Sequence, residues 1–534
     1  MTAPKHNRQI SVIFEGYHEA AFLPRQDPPF MLLAADSFDV RRPVSIRRDA
    51  ARMASALASG GDRRIRPDAD GRNQYYASVL PSDALAYGSA TINSISDHAF
   101  NVLLDRWSGR LGRPMAAHDY SDGLAALRVQ LADHFGLADT AIIFAASGTD
   151  LEYVGLAAAY DGRPLTAILL GRDEVGSGCI HSAAGRFFAS ETATGAQVVA
   201  QTAIDPAFVA TELIDIPVRD AVGSPRASAA VAAELAQQAD RAATQGRRAV
   251  IHVVHGSKTG LTMPTIADVE RMAAMYGDAV MFVVDACQMR ITPETVRRYL
   301  ALGCVVLMTG SKFVGGPPFS GFALVPGVVR MRAHRLPAGF RRVASRAEWP
   351  AEWPGADCLA AKSNFGLLLR LEAAMIEMER FAALPAERVA EVTARFSHHV
   401  MNLVKRLELA EVPGAGGAAC LATDTLRTLD LSARWPECDF DIARSMHGHI
   451  AHLSRQWLGR EIRLGQPVRT HLLPNGRAAG TLRLSLSMPL ITELAGLSAP
   501  ALGERLNRDF ALLSAAISAA GSTALSKQGA ALRN

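Results

Sequence analysis

Three features are scarce in this 534-residue chain: closely spaced cysteine pairs, long apolar runs and an excess of charge of one sign. Its six cysteines form no CxxC pair, which indicates reduced thiols in a cytoplasmic protein rather than a disulfide framework. The most apolar stretches are far too short to cross a bilayer, and the first twenty residues lack the apolar core of a signal peptide. The formal net charge is only +4 and no Lys/Arg run stands out, so we expect neither nucleic acid nor membrane as a partner.

The regular part of the chain begins near residue 118. Apolar stretches typical of buried strands alternate there with helical patterns, such as those at 122–135 and 226–245. The predicted strands are 141–145, 166–170, 249–254, 279–284, 305–309 and 321–325. Continuous apolar strands separated by helices predict an α/β fold with a mostly parallel sheet covered by helices on both faces.

The pattern divides the chain into three parts. Residues 1–117 mix Pro, Arg and Asp with short apolar runs, and we expect an N-terminal extension or a part of a small domain. Residues 118–365 form the predicted large domain. A long amphipathic helix then leads into a smaller α+β C-terminal domain, which together occupy 366–534.

Two charged residues follow neighbouring apolar strands. Asp285 ends a strand that is otherwise entirely apolar, so its carboxylate requires a partner or a ligand. Lys312 ends the next strand, beside the hydroxyls of Thr309 and Ser311 and a glycine-rich turn that suit a phosphate. Ligands of such sheets lie beyond the carboxyl ends of the strands, where these residues stand.

These segments resemble those of fold-type I pyridoxal-phosphate (PLP) enzymes, particularly the class V aminotransferase and cysteine desulfurase group. The segment 285–288, Asp-Ala-Cys-Gln, resembles the group's Asp-Ala-x-Gln, and 309–312, Thr-Gly-Ser-Lys, resembles its Ser-x-His-Lys. The resemblance spans about residues 118–500 and implies the group's large domain with a seven-stranded sheet. It also implies PLP as cofactor, with a Schiff base on Lys312, Asp285 at the ring nitrogen and Gln288 near the phenolic oxygen.

The resemblance extends to further residues around the implied cofactor. Ser147-Gly148-Thr149 opens a helix after the first strand and resembles the group's phosphate loop. Thr309 and Ser311 match its phosphate-binding segment, although Ser311 replaces a histidine, and Ser257 matches a polar position near the phenolic oxygen. Ser363-Asn364 resembles a segment that reaches the phosphate of the neighbouring subunit, which implies a homodimer with shared active sites.

The C-terminal part carries the implied substrate-binding residue. Arg483 matches the arginine that holds a substrate carboxylate, a task suited to a bidentate guanidinium. Val468 stands where one desulfurase branch has its nucleophilic cysteine, which is evidence against a desulfurase of that type. The residue that stacks on the cofactor ring is not evident, and His181 is one candidate.

Several alternatives remain open. The resemblance favours an aminotransferase or a C–S or β-elimination lyase acting on an amino acid or amine, and decarboxylation or racemisation stands behind them. A catalytically inert binding protein with this fold is another alternative, and a Rossmann enzyme is disfavoured because no GxGxxG follows the first strand. The histidines at 447, 449 and 452 do not share one helix face, so we expect no metal site.

Overall fold

A computed structural model describes residues 44–89, 91–414 and 424–531 of the chain, with side chains from residue 47 to residue 525 within those ranges. Its strands are β1 (Leu85–Tyr87), β2 (Thr140–Ala145), β3 (Leu165–Leu170), β4 (Glu212–Ile216), β5 (Arg248–Val254), β6 (Val280–Asp285), β7 (Val305–Thr309), β8 (Gly321–Pro326), β9 (Ala410–Glu411), β10 (Leu426–Asp430), β11 (Ile462–Leu464) and β12 (Thr481–Ser485). Its α-helices are α1 (Val44–Leu57), α2 (Asp97–Trp107), α3 (Ala117–Phe135), α4 (Gly148–Ala159), α5 (Cys179–Ser182), α6 (Ser228–Thr244), α7 (Ile266–Tyr276), α8 (Pro293–Ala301), α9 (Gly327–Met331), α10 (Phe365–Ala382), α11 (Ala386–Arg406), α12 (Phe440–Leu458), α13 (Met488–Ala495) and α14 (Ala499–Ala531).

Seven of these strands form a central sheet in the order β2-β8-β7-β6-β5-β3-β4. Strands β3 to β7 pair in parallel, whereas β8 runs antiparallel to both β2 and β7. Val250 and Val283 lie in one apolar cluster, and the next residues, Ile251 and Val284, lie in another. Because side chains alternate between the two faces of a strand, both faces of the sheet are covered. The predicted α/β class with a mostly parallel sheet is confirmed.

The predicted strands of the sheet lie within a residue or two of their positions in the structure. The exception is β4 (Glu212–Ile216), an edge strand that the sequence pattern did not predict. Its Glu212 and Asp215 interrupt the apolar run, and four of its five residues are only partly buried. An edge strand lacks a neighbour on one side, so it does not need the continuous apolar sequence by which the inner strands were recognised.

The C-terminal part contains two small sheets and long helices. Strands β12, β10 and β9 form an antiparallel sheet, and α14 packs on α12 and α11. The described N-terminal residues join this region, because β1 pairs in parallel with β11. The domain limits at 117 and 365 stay a prediction, and residues 1–43 of the expected N-terminal extension lie outside the described residues. Within the described ranges, no helix combines the length and apolar character needed to span a bilayer.

The buried guanidinium of Arg370 joins separate parts of the chain. Arg370 lies in α10, is completely shielded from solvent and donates hydrogen bonds to the carbonyls of Leu57, Ser59, Gly60 and Phe319. These carbonyls belong to the end of α1 and to the turn before β8. Burial lowers the pKa of Arg370 to about 9, which leaves it charged at neutral pH.

We expect Arg370→Leu to destabilise the fold by about 3 kcal/mol, because four buried carbonyls lose a charged donor. The measurement is the free energy of unfolding in urea. The control is Arg298→Leu, which removes an exposed ion pair to Glu270 and is expected to cost roughly 0.5 kcal/mol or less. Equal losses in the two variants would contradict the role assigned to Arg370.

Candidate active site

The candidate site lies where β5, β6 and β7 end side by side. Asp285 is the last residue of β6, and it pairs with Val254 of β5 and Leu307 of β7. Its Oδ1 accepts a hydrogen bond of 2.9 Å from the backbone N–H of Cys287. Among the described residues, no cationic side chain lies within ion-pair distance of this carboxylate. A half-buried carboxylate without a cation, at the end of an apolar strand, calls for a ligand.

Lys312 follows β7 and lies close to Asp285. Its carbonyl accepts a hydrogen bond of 2.9 Å from Nδ2 of Asn93, which holds the backbone in place. No hydrogen bond or ion pair involves its Nζ within the described part of the chain. The charges of both Asp285 and Lys312 act on the buried thiol of Cys287, which places the three groups together. The structure therefore brings the predicted lysine and aspartate to one edge of the sheet.

The N-terminus of α4 closes one side of this edge. Ser147 caps the helix and accepts a hydrogen bond from the N–H of Asp150. The N–H groups of Gly148 and Thr149 have no acceptor in the described structure, and helix N-termini of this kind bind anions. A Cβ added to Gly148 would lie 2.9 Å from Sγ of Cys287, so only glycine lets the helix approach so closely.

Two predicted hydroxyls lie near the same helix end. The Thr309 methyl group lies 3.3 Å from the position of a Gly148 Cβ. The Thr309 hydroxyl donates to the carbonyl of Cys287 at 3.0 Å and accepts from Ser311 at 3.3 Å. Gly148, Thr149, Thr309 and Ser311 thus lie at one end of the site, as the sequence predicts for an anion.

The N-terminal region contributes a residue that the sequence analysis missed. Arg64 donates a hydrogen bond of 3.1 Å to Oγ of Ser147, which places a cation at the start of α4. Asp62 binds the same guanidinium, and the ring of Phe188 lies 4.8 Å from it. The sequence analysis predicted no strand before Arg64, so nothing in the local pattern marks it as part of a site.

A buried glutamate and a buried histidine lie near Asp285. Glu152 of α4 and His252 of β5 are almost inaccessible to solvent, and their nearest oxygen and nitrogen are 3.6 Å apart. Burial, followed by the charge of Asp285, raises the pKa of Glu152 well above its usual value. Burial lowers the pKa of His252 to about 4, so the imidazole is neutral at physiological pH. Both groups therefore favour their uncharged forms.

Ser257 is held by a carboxylate that the sequence analysis did not single out. Its hydroxyl donates to Oε2 of Glu174 at 2.7 Å, and Glu174 also accepts from Thr259. Arg219 pairs with Oε1 of Glu174 at 3.0 Å. Glu174 follows β3, so a search of every strand end would have found it. The role of Ser257 near a phenolic oxygen stays a prediction.

Arg483 crosses from β12 to the end of β5. It is buried, its Nε donates to the carbonyl of Gln466 at 2.8 Å, and its Nη1 donates to the carbonyl of Lys258 at 3.2 Å. Nη2 has no acceptor among the described residues. Burial lowers the pKa of Arg483 to about 10, which leaves it charged at neutral pH. The guanidinium is therefore available for an anion.

Gln288 lies beside a cation that the sequence analysis did not single out. Its Oε1 accepts a hydrogen bond of 3.0 Å from Nη1 of Arg290, which is buried and stacked 4.8 Å from the ring of Phe313. Arg290 also donates to Ser89 and Thr425. The predicted Gln288 therefore lies within a buried polar network close to Asp285.

Three other residues from the sequence analysis lie in different settings. His181 lies in the short helix α5, two residues after Cys179, whose thiol approaches Glu152. Ser363 lines a small cavity of about 240 Å³ together with Gly60 and with Asn364, its neighbour in the predicted segment. His447 is buried with its Nε2 3.0 Å from the carbonyl of Leu464. No cluster of metal-binding side chains is found among the described residues.

Glu152→Gln tests the uncharged form of the buried acid. The raised folded-state pKa means that the wild type loses stability as pH rises above the unfolded value of 4.5 toward the folded value. The variant lacks this titration, so the difference in melting temperature between the variant and the wild type should shift in favour of the variant as the pH is raised above the unfolded value of 4.5. The control is Glu270→Gln, whose side chain is 40% exposed and should show little such gain. A pH-independent difference for Glu152→Gln would refute the assignment.

The fold is similar to those of known enzymes. A NifS-like protein from Rickettsia africae ESF-5 matches with a TM-score of 0.50 and 12% sequence identity, over 82% of this chain and 99% of that protein. The cysteine desulfurase CsdA from Escherichia coli matches with a TM-score of 0.50 and 15% identity, over 82% of this chain and 94% of that protein. No protein-family model and no curated protein matches the sequence. The likeness concerns the fold, and this chain has the fold of the PLP-dependent fold-type I enzymes.

Proposed function

We propose that this protein is a PLP-dependent enzyme that acts on an amino acid or amine, as an aminotransferase or a C–S or β-elimination lyase. One observation carries the proposal: a carboxylate without a cation and a lysine amine without a partner share one sheet edge, next to free N–H groups of a helix. The carboxylate, the amine and the N–H groups are complementary to the ring nitrogen, the aldehyde and the phosphate of PLP, respectively. PLP supplies an aldehyde that reacts with amines and a ring that withdraws electrons from the bound substrate.

Each group of the site fits a separate part of the cofactor. The N–H groups of Gly148 and Thr149, with the hydroxyls of Thr309 and Ser311, suit the phosphate. Asp285 suits the ring nitrogen, because an ionised carboxylate keeps such a nitrogen protonated. Burial favours the uncharged forms of the nearby Glu152 and His252, which leaves Asp285 as the carboxylate suited to the ring nitrogen among the described residues of this group.

Lys312 would hold the cofactor and move protons. Its Nζ is a free amine at the edge of the sheet, and an amine at this place can take a proton from the substrate α-carbon and return it elsewhere. Arg483 would bind the substrate carboxylate through its free Nη2 and so orient the α-carbon toward Lys312. Val468 is buried against Thr481 and offers no thiol, so a persulfide-forming desulfurase of the kind that uses this position is disfavoured. Decarboxylation and racemisation are further alternatives, because they use the same lysine.

Lys312→Ala is expected to abolish covalent attachment of PLP. The wild type should take up PLP with a visible absorption band, and borohydride reduction followed by peptide mapping should find the label on Lys312. Turnover of a reactive amino acid should fall by about a thousandfold or more in the variant, because the proton-moving amine is lost. The control is Lys405→Ala, which changes an exposed lysine of α11. A wild-type protein that takes up no PLP would overturn the proposal in favour of an inert protein with this fold.

We also propose a cytoplasmic homodimer with shared active sites. Ser363 supports this, since it belongs to a segment that resembles one reaching a neighbouring subunit, and the cavity that it lines in its own chain is not lined by Lys312. The described cysteines are unpaired, which fits a reducing compartment.

Mixing inactive subunits tests the shared site. Lys312→Ala and Ser363→Trp chains should each be inactive alone. An equal mixture of the two, unfolded and refolded together, should regain roughly a quarter of the activity of the same amount of wild-type protein. That recovery arises because a mixed dimer has one site free of both changes. Light scattering of the wild type checks the mass. Strict monomers, or a mixture with no recovery, would rule out shared sites.

A further inference from the structure

Three cations lie around the ends of β5 and β6, near Lys312: the buried Arg290 and Arg483 and the partly buried Lys258. Lys258 follows β5, and its carbonyl accepts from Nη1 of Arg483 at 3.2 Å. Its Nζ donates to the carbonyl of Asp173 at 3.2 Å and has capacity for two further bonds. The charges of Arg483 and Lys312 both act on Lys258, and the charge of Arg483 acts on Arg290. The four side chains therefore share one region of low solvent access.

None of these cations has a carboxylate partner. In the described ranges, Lys258, Arg290 and Arg483 make hydrogen bonds only to neutral oxygens. The nearby carboxylate of Glu174 is already paired with Arg219 at 3.0 Å and with two hydroxyls. Desolvation, followed by the charges of Arg483 and Lys312, lowers the pKa of Lys258 to about 8.

The cofactor's phosphate does not account for this charge. Its proposed site lies between α4 and the end of β7, whereas Lys258 follows β5, and β6 separates these strands. Two strand spacings amount to about 10 Å. One substrate carboxylate would occupy Arg483, which leaves the ammonium of Lys258 for another anion. Arg290 adds positive potential but is fully engaged by Ser89, Gln288 and Thr425.

We propose that Lys258 binds a second carboxylate of the substrate, so that the site accepts a dicarboxylic amino acid and its oxo acid. This inference rests on the proposed function, which supplies the place of the first carboxylate at Arg483. Lys258 and Arg483 are in direct contact, since Nη1 of the arginine donates to the lysine's carbonyl at 3.2 Å. A short dicarboxylate can therefore contact both cations at once. Lys258 is a specificity-determining residue in this proposal, and Lys312 remains the reacting group.

The test measures binding of unreactive acids to the PLP-loaded protein by isothermal titration. Succinate probes both cations, and butyrate is the matched monocarboxylate. The wild type should bind succinate about ten- to a hundredfold more tightly than butyrate, because a buried charge-assisted contact is gained. Lys258→Met should remove this preference and leave the affinity for butyrate within about twofold. Lys258→Arg should retain a preference for succinate, since the charge is kept.

Each other result has a defined meaning. Equal binding of the two acids by the wild type, binding of neither, or a preference that persists in Lys258→Met would overturn the role of Lys258. Tight binding of 3-phosphonopropionate without a preference for succinate would overturn the assignment to a carboxylate. Circular dichroism establishes whether the variants are folded. If Lys258→Met is not folded, the binding result for Lys258→Arg decides the test. Failure to take up PLP is seen separately in the absorption spectrum and would count against the proposed function, not against the anion preference.

Discussion

The parallel pairing of β5, β6 and β7 brings the whole site together. Val254 pairs with Asp285, and Asp285 pairs with Leu307, so the three strands end within a few residues of one another. The loops that follow carry Lys258, Asp285 and Lys312 to one edge. Because the strands run in the same direction, their carboxyl ends and the polar groups after them face one cleft. A shift in this register would separate the aspartate from the lysine.

The site has two ends of different chemical character. At the β7 end, backbone N–H groups of α4 and hydroxyl groups surround a space suited to a phosphate. At the β5 end, the cations of Lys258, Arg290 and Arg483 lie close together, and none of them has a carboxylate partner among the residues that the structure describes. Asp285 lies between these ends, and its charge acts on the nearby Glu152 and His252, whose uncharged forms are favoured by burial. This distribution supports the proposal of a cofactor phosphate at one end and substrate carboxylates at the other.

The inner strands and their helices were predictable because each has a strong local signal. The strands β5, β6 and β7 are continuous apolar runs, and the residues after them, Asp285 and Lys312, are polar where a ligand belongs. Strand β4 was missed because it is a polar edge strand. Arg64 was missed for another reason, since its position at the start of α4 depends on contacts across more than eighty residues.

The sequence by itself determined the α/β class, the order of the inner elements and the pair of Asp285 and Lys312, because apolar periodicity and strand-end polarity are local properties. Only the tertiary structure showed that Ser257 is bound to Glu174, that Gln288 is bound to Arg290, and that Glu152 and His252 lie near Asp285. It also showed the unpaired cations around Lys258. Charge pairing and burial depend on residues distant in the chain, and so they are decided by the folded arrangement and not by any local pattern.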